Sequence, residues 1–403
     1  MGYTPPMPDY DLPLARWMSW GGDHRQVLSS QTGLTRYRTA LEPRSGVPFG
    51  SCTASWPSDR AWGAMGEALE SLRADPGSIE EQPSMISARL NGWAEREPDA
   101  PVALAPSGTD AIYLVSAVAL ASSRRVHHVV VGASELGGGT LRASRGLTFS
   151  DRSPWGPATE PGQPVEGLSD RCTAEPIYLR DEAGRRLEMD VVDTDVRERV
   201  TRACVPGTTV VIHLVAHSKT GLRAPSMDVC AALVEEFGEQ VAVLVDAAQG
   251  RLAPRDIRAA LDAGFMVLFT GSKFYSGPPF SAAIFLPEGR SADPGPLPEG
   301  LGQWFAQGEL PAHWERARAS LSNAHNPGLY LRWHGALVEL ETYHAVDPRE
   351  RARVYHTFAG AVLEMFGPSR NIRVDMPVPP VHRLVTGLGA YPTVFGFEVV
   401  HEG

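Results

Sequence analysis

The sequence predicts an α/β protein whose mainly parallel sheet is covered by helices on both faces. Between about residues 101 and 290, short apolar runs rich in valine alternate with helical patterns. Runs of this kind, without the polar alternation of a half-exposed strand, are typical of strands buried on both faces of a parallel sheet. The chain has 403 residues and is 43% hydrophobic, which is enough to bury such a core.

Each element has its own signal in the sequence. Ser58 is a suitable cap for an amphipathic helix over 58–75, whose apolar residues recur at three- and four-residue steps. A second helical pattern, over 78–99, is interrupted by Pro83. Apolar, β-branched runs then predict strands at 101–105, 126–133, 208–217, 241–249, 265–272 and 281–287, with helices at 109–123, 226–240 and 253–264.

Composition divides the chain into three parts. Residues 1–58 are rich in Pro, Gly, Ser and Arg, which predicts an irregular N-terminal arm. A large domain is expected over 59–320, with the Pro- and Gly-rich residues 147–185 interpreted as a surface insertion. Residues 321–403 hold two helical patterns and a strand pattern, and are expected to form the start of a small α+β domain.

Bulk properties exclude several classes of protein. The net charge of −10 argues against a general nucleic-acid surface, and no apolar run has the length of a membrane span. The N-terminus lacks the basic and apolar regions of a signal peptide, so we expect a cytoplasmic protein. The cysteines are too scattered for a zinc motif and too few for a disulfide scaffold, so free and mostly buried thiols are expected at Cys52, Cys172, Cys204 and Cys230.

Lysine is nearly absent from this sequence. Lys219 and Lys273 are its only lysines, and every other residue among the 37 Lys and Arg is arginine. Where surface lysine has been replaced by arginine throughout, a lysine that remains is a candidate for chemistry that needs an amine. Chance retention is the alternative for either residue.

Polar side chains follow three of the predicted strands. Ser107, Gly108 and Thr109 stand where a strand turns into a helix, a place that suits an anion, although an ordinary helix cap has the same residues. Asp246 ends an apolar strand and needs a cationic or N–H partner, which a structural arginine could also supply. Lys273 follows the next strand and could form a Schiff base, with a plain surface lysine as the alternative.

A glycine-rich loop follows another strand. The segment Gly-Ala-Ser-Glu-Leu-Gly-Gly-Gly-Thr, residues 132–140, lacks the order G-x-G-x-x-G and an acidic partner at the right distance. Its interpretation as a nicotinamide-binding loop is therefore rejected.

Four motifs in order resemble a known family. They are PSGTDA at 106–111, AHSKTG at 216–221, VDAAQ at 245–249 and TGSK at 270–273, with the lysine 27 residues after the aspartate and GPPFS following. Together they resemble the class V aminotransferase and cysteine desulfurase branch of fold type I enzymes, which use pyridoxal 5′-phosphate (PLP). The resemblance covers roughly residues 45 to 400 and implies a homodimer acting on a small amino-acid-like substrate.

The resemblance implies a role for each matched residue. Lys273 would hold the cofactor as a Schiff base and carry the α-proton, Asp246 would pair with the pyridine N–H, and Gln249 would reach the phenolate oxygen. The remaining cofactor-binding positions would be Ser107, Gly108, Thr109, Leu136, Ser218, Thr270 and Ser272. Leu136 stands where the family often stacks a histidine on the ring, and Ser272 where desulfurases often have histidine.

The reaction is less well defined than the cofactor. Transamination is the first expectation, and lyase chemistry, decarboxylation or epimerisation the alternative, with a non-catalytic scaffold as a third. Cysteine desulfuration is disfavoured because no cysteine follows Cys230. The chain ends at Gly403, where relatives continue with an arginine for the substrate carboxylate, so either the small domain is cut short or another arginine binds that group. The candidates for that role here are Arg36, Arg44, Arg370, Arg373 and Arg383.

In this family the N-terminal segment lines the substrate entrance. The arm is therefore expected either to contact the substrate or to pack at the dimer interface. The residues that would contact substrate are Arg25, Tyr37 and Ser51 to Ser55.

Overall fold

The computed structural model describes residues 9, 11–46, 55–375 and 393–400. Its main sheet has seven strands in the order β1-β7-β6-β5-β4-β2-β3. The five neighbouring strands from β3 to β6 in that order run parallel, whereas β7 is antiparallel to both β6 and β1. The strands are β1 Val102–Ala105, β2 Arg125–Val131, β3 Cys172–Ile177, β4 Thr208–Val215, β5 Val241–Ala247, β6 Met266–Thr270 and β7 Ala282–Phe285.

Helices cover both faces of this sheet, as the sequence predicts. The helices are α1 Leu14–Met18, α2 Asp59–Ala74, α3 Gln82–Trp93, α4 Gly108–Leu120, α5 Thr140–Ser144, α6 Met189–Ala203, α7 Met227–Phe237, α8 Pro254–Asp262, α9 Glu315–Ala319, α10 Pro327–Ala345 and α11 Pro348–Phe366. One core contains α4, and the other contains α2, α3, α6, α7, α8 and α10. None of the helices in the described part of the chain is long and apolar enough to cross a membrane.

The interpretation of residues 147–185 as a surface insertion is wrong in part. This stretch contains β3, which pairs with β2 at the edge of the sheet, and it buries Trp155, Val165 and Leu168. Pro176 is tolerated in β3 because an edge strand has one side without a ladder partner. Residues 147–185, which we call the excursion, therefore complete the sheet and part of the core beside α4.

Pro83 does not interrupt a helix but begins one. It occupies the first turn of α3, where the missing N–H costs no intrahelical hydrogen bond. Ser58 caps α2 as expected, and its hydroxyl accepts the N–H of Ala61.

The small C-terminal unit consists of α11 and an antiparallel pair, β8 Ile372–Asp375 with β9 Gly396–Val399. α10 precedes it and packs against α2 and α3. The predicted domain limits at residues 58 and 320 stay predictions. Of the cysteines in the described ranges, Cys172 and Cys230 are buried, Cys204 is half-buried, and all three are free thiols. Cys52 lies outside the described residues.

Candidate active site

The ends of β5 and β6 point their polar side chains at the same face of the sheet. Alternate residues of a strand face opposite sides, and Leu244 and Leu268 lie in the core that contains α4. Asp246 and Thr270, each two residues further along its strand, therefore face α4 as well. Asp246 lies opposite Leu268 in the ladder, so the two polar residues end adjacent strands at one edge.

The N-terminus of α4 lies against this edge. Ser107 caps the helix, its hydroxyl accepting the N–H of Asp110 and donating to the Asp110 carboxylate. A methyl group on Gly108 would lie 3.8 Å from Ala248 and from Thr270. The first N–H groups of α4, on Gly108 and Thr109, thus come next to Thr270, where an anion would be stabilised by the helix dipole.

Lys273 begins a short 3-10 helix, Lys273–Tyr275, three residues after β6. Its backbone is left-handed, with φ of 65°, and the same loop holds Ser276 at 58° and Phe280 at 69°. Such φ values are costly for residues other than glycine and persist where the surroundings enforce them, often at functional sites. The loop therefore holds the backbone of Lys273 in an uncommon conformation, and the residue is half-buried.

Asp246 and Lys273 act on each other electrostatically. Burial raises the pKa of Asp246, while the N–H of Ala248 and the charge of Lys273 oppose that rise. Within the described ranges the only hydrogen bond to the Asp246 carboxylate comes from the Ala248 N–H to Oδ1, at 3.0 Å. Asp246 thus has acceptor capacity left for one further donor.

Gln249 is held by Arg251. The Gln249 side-chain oxygen accepts a hydrogen bond from Arg251 Nη1 at 3.2 Å, a contact that does not use the donors of the amide N–H group. Arg251 in turn donates to Thr393 and lies 5.2 Å from the ring centre of Phe274, the residue after Lys273. Arg251 therefore belongs to the site, although no sequence signal separates it from the many other arginines.

The hydroxyl groups of Thr270 and Ser272 already have acceptors. Thr270 donates to the carbonyl oxygen of Ala248 at 2.7 Å, and Ser272 donates to Thr270 at 3.3 Å. Thr270 therefore ties the end of β6 to the end of β5. To donate to a bound anion, either hydroxyl group would have to rotate away from its present acceptor. The backbone N–H groups at the start of α4 could donate without such a change.

Ser218 has a structural partner in this arrangement. Its hydroxyl lies 2.5 Å from the buried Glu135 carboxylate, which also contacts Thr220 and Arg180. Glu135 thus joins the turn after β4 to the turn after β2. The neighbouring Leu136 packs with Val130 and Val215 in a small apolar cluster.

His217 is a site residue that the sequence reasoning missed. It follows β4, directly before Ser218, and its Nδ1 is buried without a hydrogen-bond partner among the described residues. Burial lowers its pKa well below the usual value, and the charges of Arg223 and Arg251 lower it further. His217 is therefore a neutral imidazole near the strand ends. His217 lies six residues after Val211, which faces the α4 core, so continued strand alternation would place both on the same face of the sheet. That alternation is the signal that could have identified it.

The glycine-rich loop serves close packing. A methyl group on Gly139 would lie 2.9 Å from both Phe149 and Thr109, and one on Gly137 would lie 3.5 Å from the Thr109 hydroxyl. The loop therefore presses against the first turn of α4. Close contact explains Gly137 and Gly139 without a bound dinucleotide.

Gly139→Ala should destabilise the protein by about 1–3 kcal/mol, because the added methyl overpacks the contact with Thr109 and Phe149. Gly138→Ala is the matched control, since no heavy atom lies within 4 Å of the position of its methyl group. Urea unfolding measures both free energies. Equal stability of the two variants would contradict the close contact.

The arm supplies a buried ion pair beside the α4 N-terminus. Arg25 forms a salt bridge with Asp23 through Nε and Nη2, and Nη2 also donates to Ser107 Oγ at 3.1 Å. The guanidinium lies 4.6 Å from the Phe280 ring centre and 5.5 Å from that of Phe149. Burial and the Asp23 charge raise the pKa of Asp110 to about 7, against the opposing effects of Ser107 and Arg25. The arm thus contributes to the floor of the site.

Arg25→Gln should lower the free energy of unfolding by about 3–5 kcal/mol, since it leaves the Asp23 carboxylate buried without its cation. The double variant Asp23→Asn with Arg25→Gln should recover a good part of that loss. Chemical denaturation of the three proteins measures the effect. A double variant no more stable than Arg25→Gln would show that the buried charge is not the cause.

Four of the five predicted carboxylate-binding arginines lie in the described ranges, and Arg36 is exposed on the arm. Arg44 and Arg370 are exposed, and Arg373 forms an ion pair with Glu398 in the β8–β9 pair. Arg383 falls outside the described residues.

Two of the other predicted substrate contacts, Tyr37 and Ser55, lie in the described ranges. Tyr37 is 43% exposed on the arm. Residues 51–54 fall outside the described ranges, while Ser55 precedes α2. Lys219 is exposed, which fits a surface lysine.

Solved structures with this fold are known. A cysteine desulfurase from Thermococcus onnurineus NA1 is 13% identical, with a TM-score of 0.52 over 87% of this chain and 78% of that one. The cystine C–S lyase C-DES, solved with its reaction product cysteine persulfide, is 14% identical, with a TM-score of 0.53 over 85% of this chain and 81% of its own. A NifS-like protein is 13% identical, with a TM-score of 0.50 over 80% and 76%.

No family model and no curated protein matches the sequence. At these identities the likeness establishes the fold, which is that of fold type I among PLP-dependent enzymes, as the sequence resemblance implied.

Proposed function

We propose that this protein is a PLP-dependent enzyme that acts on an amino acid or amine through Lys273. One observation carries the proposal: the Lys273 amine and the buried Asp246 carboxylate interact at a sheet edge against which the N-terminus of α4 is packed. An amine, an acid and an anion-binding helix end are what the aldehyde, the pyridine nitrogen and the phosphate of PLP require.

The residues present fit this cofactor. Asp246 has unused acceptor capacity and a pKa raised by burial, so a cationic N–H donor would relieve the cost of its charge. The amide of Gln249, with its oxygen held by Arg251, presents an N–H donor suited to a phenolate. The N–H groups of Gly108 and Thr109 would receive the phosphate. The other predicted positions, Leu136 and Ser218, contact Val130 and Glu135 and would support the walls of the site.

When bound, PLP supplies an electron sink that stabilises negative charge at the substrate Cα. The protein's own residues position the cofactor and the substrate, and they move protons. Asp246 would hold the ring nitrogen protonated, and the Lys273 amine would take or return the proton at the substrate Cα. Neutral His217 adds a hydrogen-bonding group that carries no charge into the site.

For the reaction itself, we propose transamination first. Support comes from the class V-like order of the four motifs and from the absence of any cysteine after Cys230, which leaves no late thiol to take up sulfur. A C–S lyase reaction is the second candidate, because C-DES carries that activity in its name and elimination needs no enzyme thiol.

Two measurements test these proposals. Borohydride treatment of the protein with PLP should fix the pyridoxyl group on the Lys273 peptide in mass spectrometry, and labelling elsewhere would refute the site. With ¹⁵N-labelled amino acids, a transaminase passes the label to an added 2-oxo acid. Ammonia release without any 2-oxo acid would instead establish the lyase.

A homodimer is also proposed, because PLP sites of this fold commonly lie at a subunit interface and the loop after Lys273 would face the neighbour's phosphate. Light scattering coupled to size exclusion tests it. A monomeric protein that still binds PLP covalently would contradict it.

A further inference from the structure

A cavity of about 870 Å³ lies between the N-terminal arm and the excursion after α5. We call it the arm cavity. Its arm side includes His24, Leu34 and Arg36, and its excursion side includes Arg152, Pro154 and Pro157. The volume falls within the range of about 300–1,000 Å³ that is typical of small-molecule sites.

The arm cavity adjoins the candidate active site. His24, in its wall, directly precedes Arg25, which contacts Ser107 at the start of α4. On the opposite side, the His24 Nδ1 lies 2.5 Å from the hydroxyl of Ser150, next to Phe149 under the Arg25 guanidinium. The wall of the cavity is thus linked, through two consecutive residues of the arm, to the turn assigned to the cofactor phosphate.

The charges on its walls are unbalanced. Arg36 and Arg152 are exposed, and neither forms an ion pair with a residue in the ranges that the structure describes. The acidic residue in the wall, Asp151, lies 3.5 Å from His24 Nδ1 instead.

Between the arginines the surface of the arm cavity is largely apolar, with Leu34, Pro154 and Pro157. An apolar chain that ends in a carboxylate matches this combination, since arginine pairs with carboxylate in a bidentate manner.

We propose that the arm cavity is a substrate subsite that receives the distal part of an acidic substrate, an apolar chain ending in a carboxylate that pairs with Arg36 and Arg152. This inference rests on the proposed function, because it assigns the other end of the same molecule to Lys273. It also gives the arm a role in specificity. It gives a role to Arg36 and Arg152, which form no ion pair with the residues that the structure describes.

The test uses suberate, a dicarboxylate without an amine, so that binding does not depend on Lys273. Isothermal titration of the 403-residue protein, with and without PLP, should show suberate binding that weakens about tenfold or more in Arg36→Gln and in Arg152→Gln. Arg152→Lys should retain part of the affinity through its charge. Arg38→Gln, two residues from Arg36 and absent from the cavity wall, is the control and should bind like the wild type.

Three results would overturn the proposal. Suberate that binds the wild type no better than the neutral 1,8-octanediol would remove the role of the arginines. Unchanged affinity in both glutamine variants would place the binding elsewhere. A dimer that dissociates in either variant, as seen by light scattering, would make the cavity a contact between two copies of the chain. Since borohydride labelling of Lys273 is scored separately, failure of the subsite is distinguishable from failure of the proposed function.

Discussion

Lys273→Ala should abolish covalent attachment of PLP and lower activity by about a thousandfold or more, because the variant has no amine to hold the cofactor or carry the α-proton. The visible absorbance of the protein mixed with PLP measures cofactor attachment, and the turnover rate measures activity. Lys219→Ala is the matched control, since Lys219 is exposed and is the only other lysine. It should keep both the colour and the activity.

A second substitution separates chemistry from folding. Lys273 has a left-handed backbone, which glycine adopts at little cost. Lys273→Gly should therefore be more stable than Lys273→Ala, by about 0.5–1 kcal/mol, while both lose the cofactor equally. If the colour survived in either variant and vanished in Lys219→Ala, the assignment of the amine would be wrong.

The sequence predicted the parts of the fold that have strong local signals. Buried parallel strands such as Val241–Ala247 are continuous apolar runs, and α4 follows a capping serine. β3 was missed because an edge strand with a proline and a glutamate resembles a loop. Residues 296–328 have no sustained period in the sequence, yet they form α9 and two short 3-10 helices and bury Trp304, Phe305 and Trp314 in the core that contains α4.

Some residues of the candidate site could also be predicted from the sequence, and others could not. Asp246, Thr270 and the start of α4 could be predicted together, because parallel strands deliver their ends to one edge. The Asp23–Arg25 pair could not, since it reaches Ser107 from 82 residues away in sequence, along an arm with no regular period. The hydrogen bond between the Ser218 hydroxyl and the Glu135 carboxylate could not be predicted either, because it depends on how the turns after β2 and β4 meet in space.

Asp246→Asn should lower activity by about a hundredfold or more while leaving PLP attached, because a neutral amide cannot keep the ring nitrogen protonated. Asp246→Glu, which preserves the charge, should retain more activity. Attachment is followed by visible absorbance and activity by turnover with the substrate found in the labelling experiment. Full activity of the asparagine variant would remove Asp246 from the mechanism.

Without cofactor the same substitution should stabilise the protein. Burial raises the pKa of Asp246 in the folded state above its ordinary value of 3.8. The folded protein therefore favours the neutral acid, and this contribution to stability is complete below pH 3.8 and is lost as the pH rises through the folded pKa. The melting temperature of cofactor-free Asp246→Asn should exceed that of the wild type at pH 7, and the gap should shrink towards pH 4.

PLP should reverse this order of stability. With the cofactor bound, the wild type should regain the advantage, since the cationic ring nitrogen then compensates the buried charge of Asp246. Melting curves of both proteins with and without PLP make the comparison. An asparagine variant that melts lower than the wild type in the cofactor-free form at pH 7 would mean that Asp246 is already paired as an ion within the protein, leaving nothing for a cofactor nitrogen to satisfy.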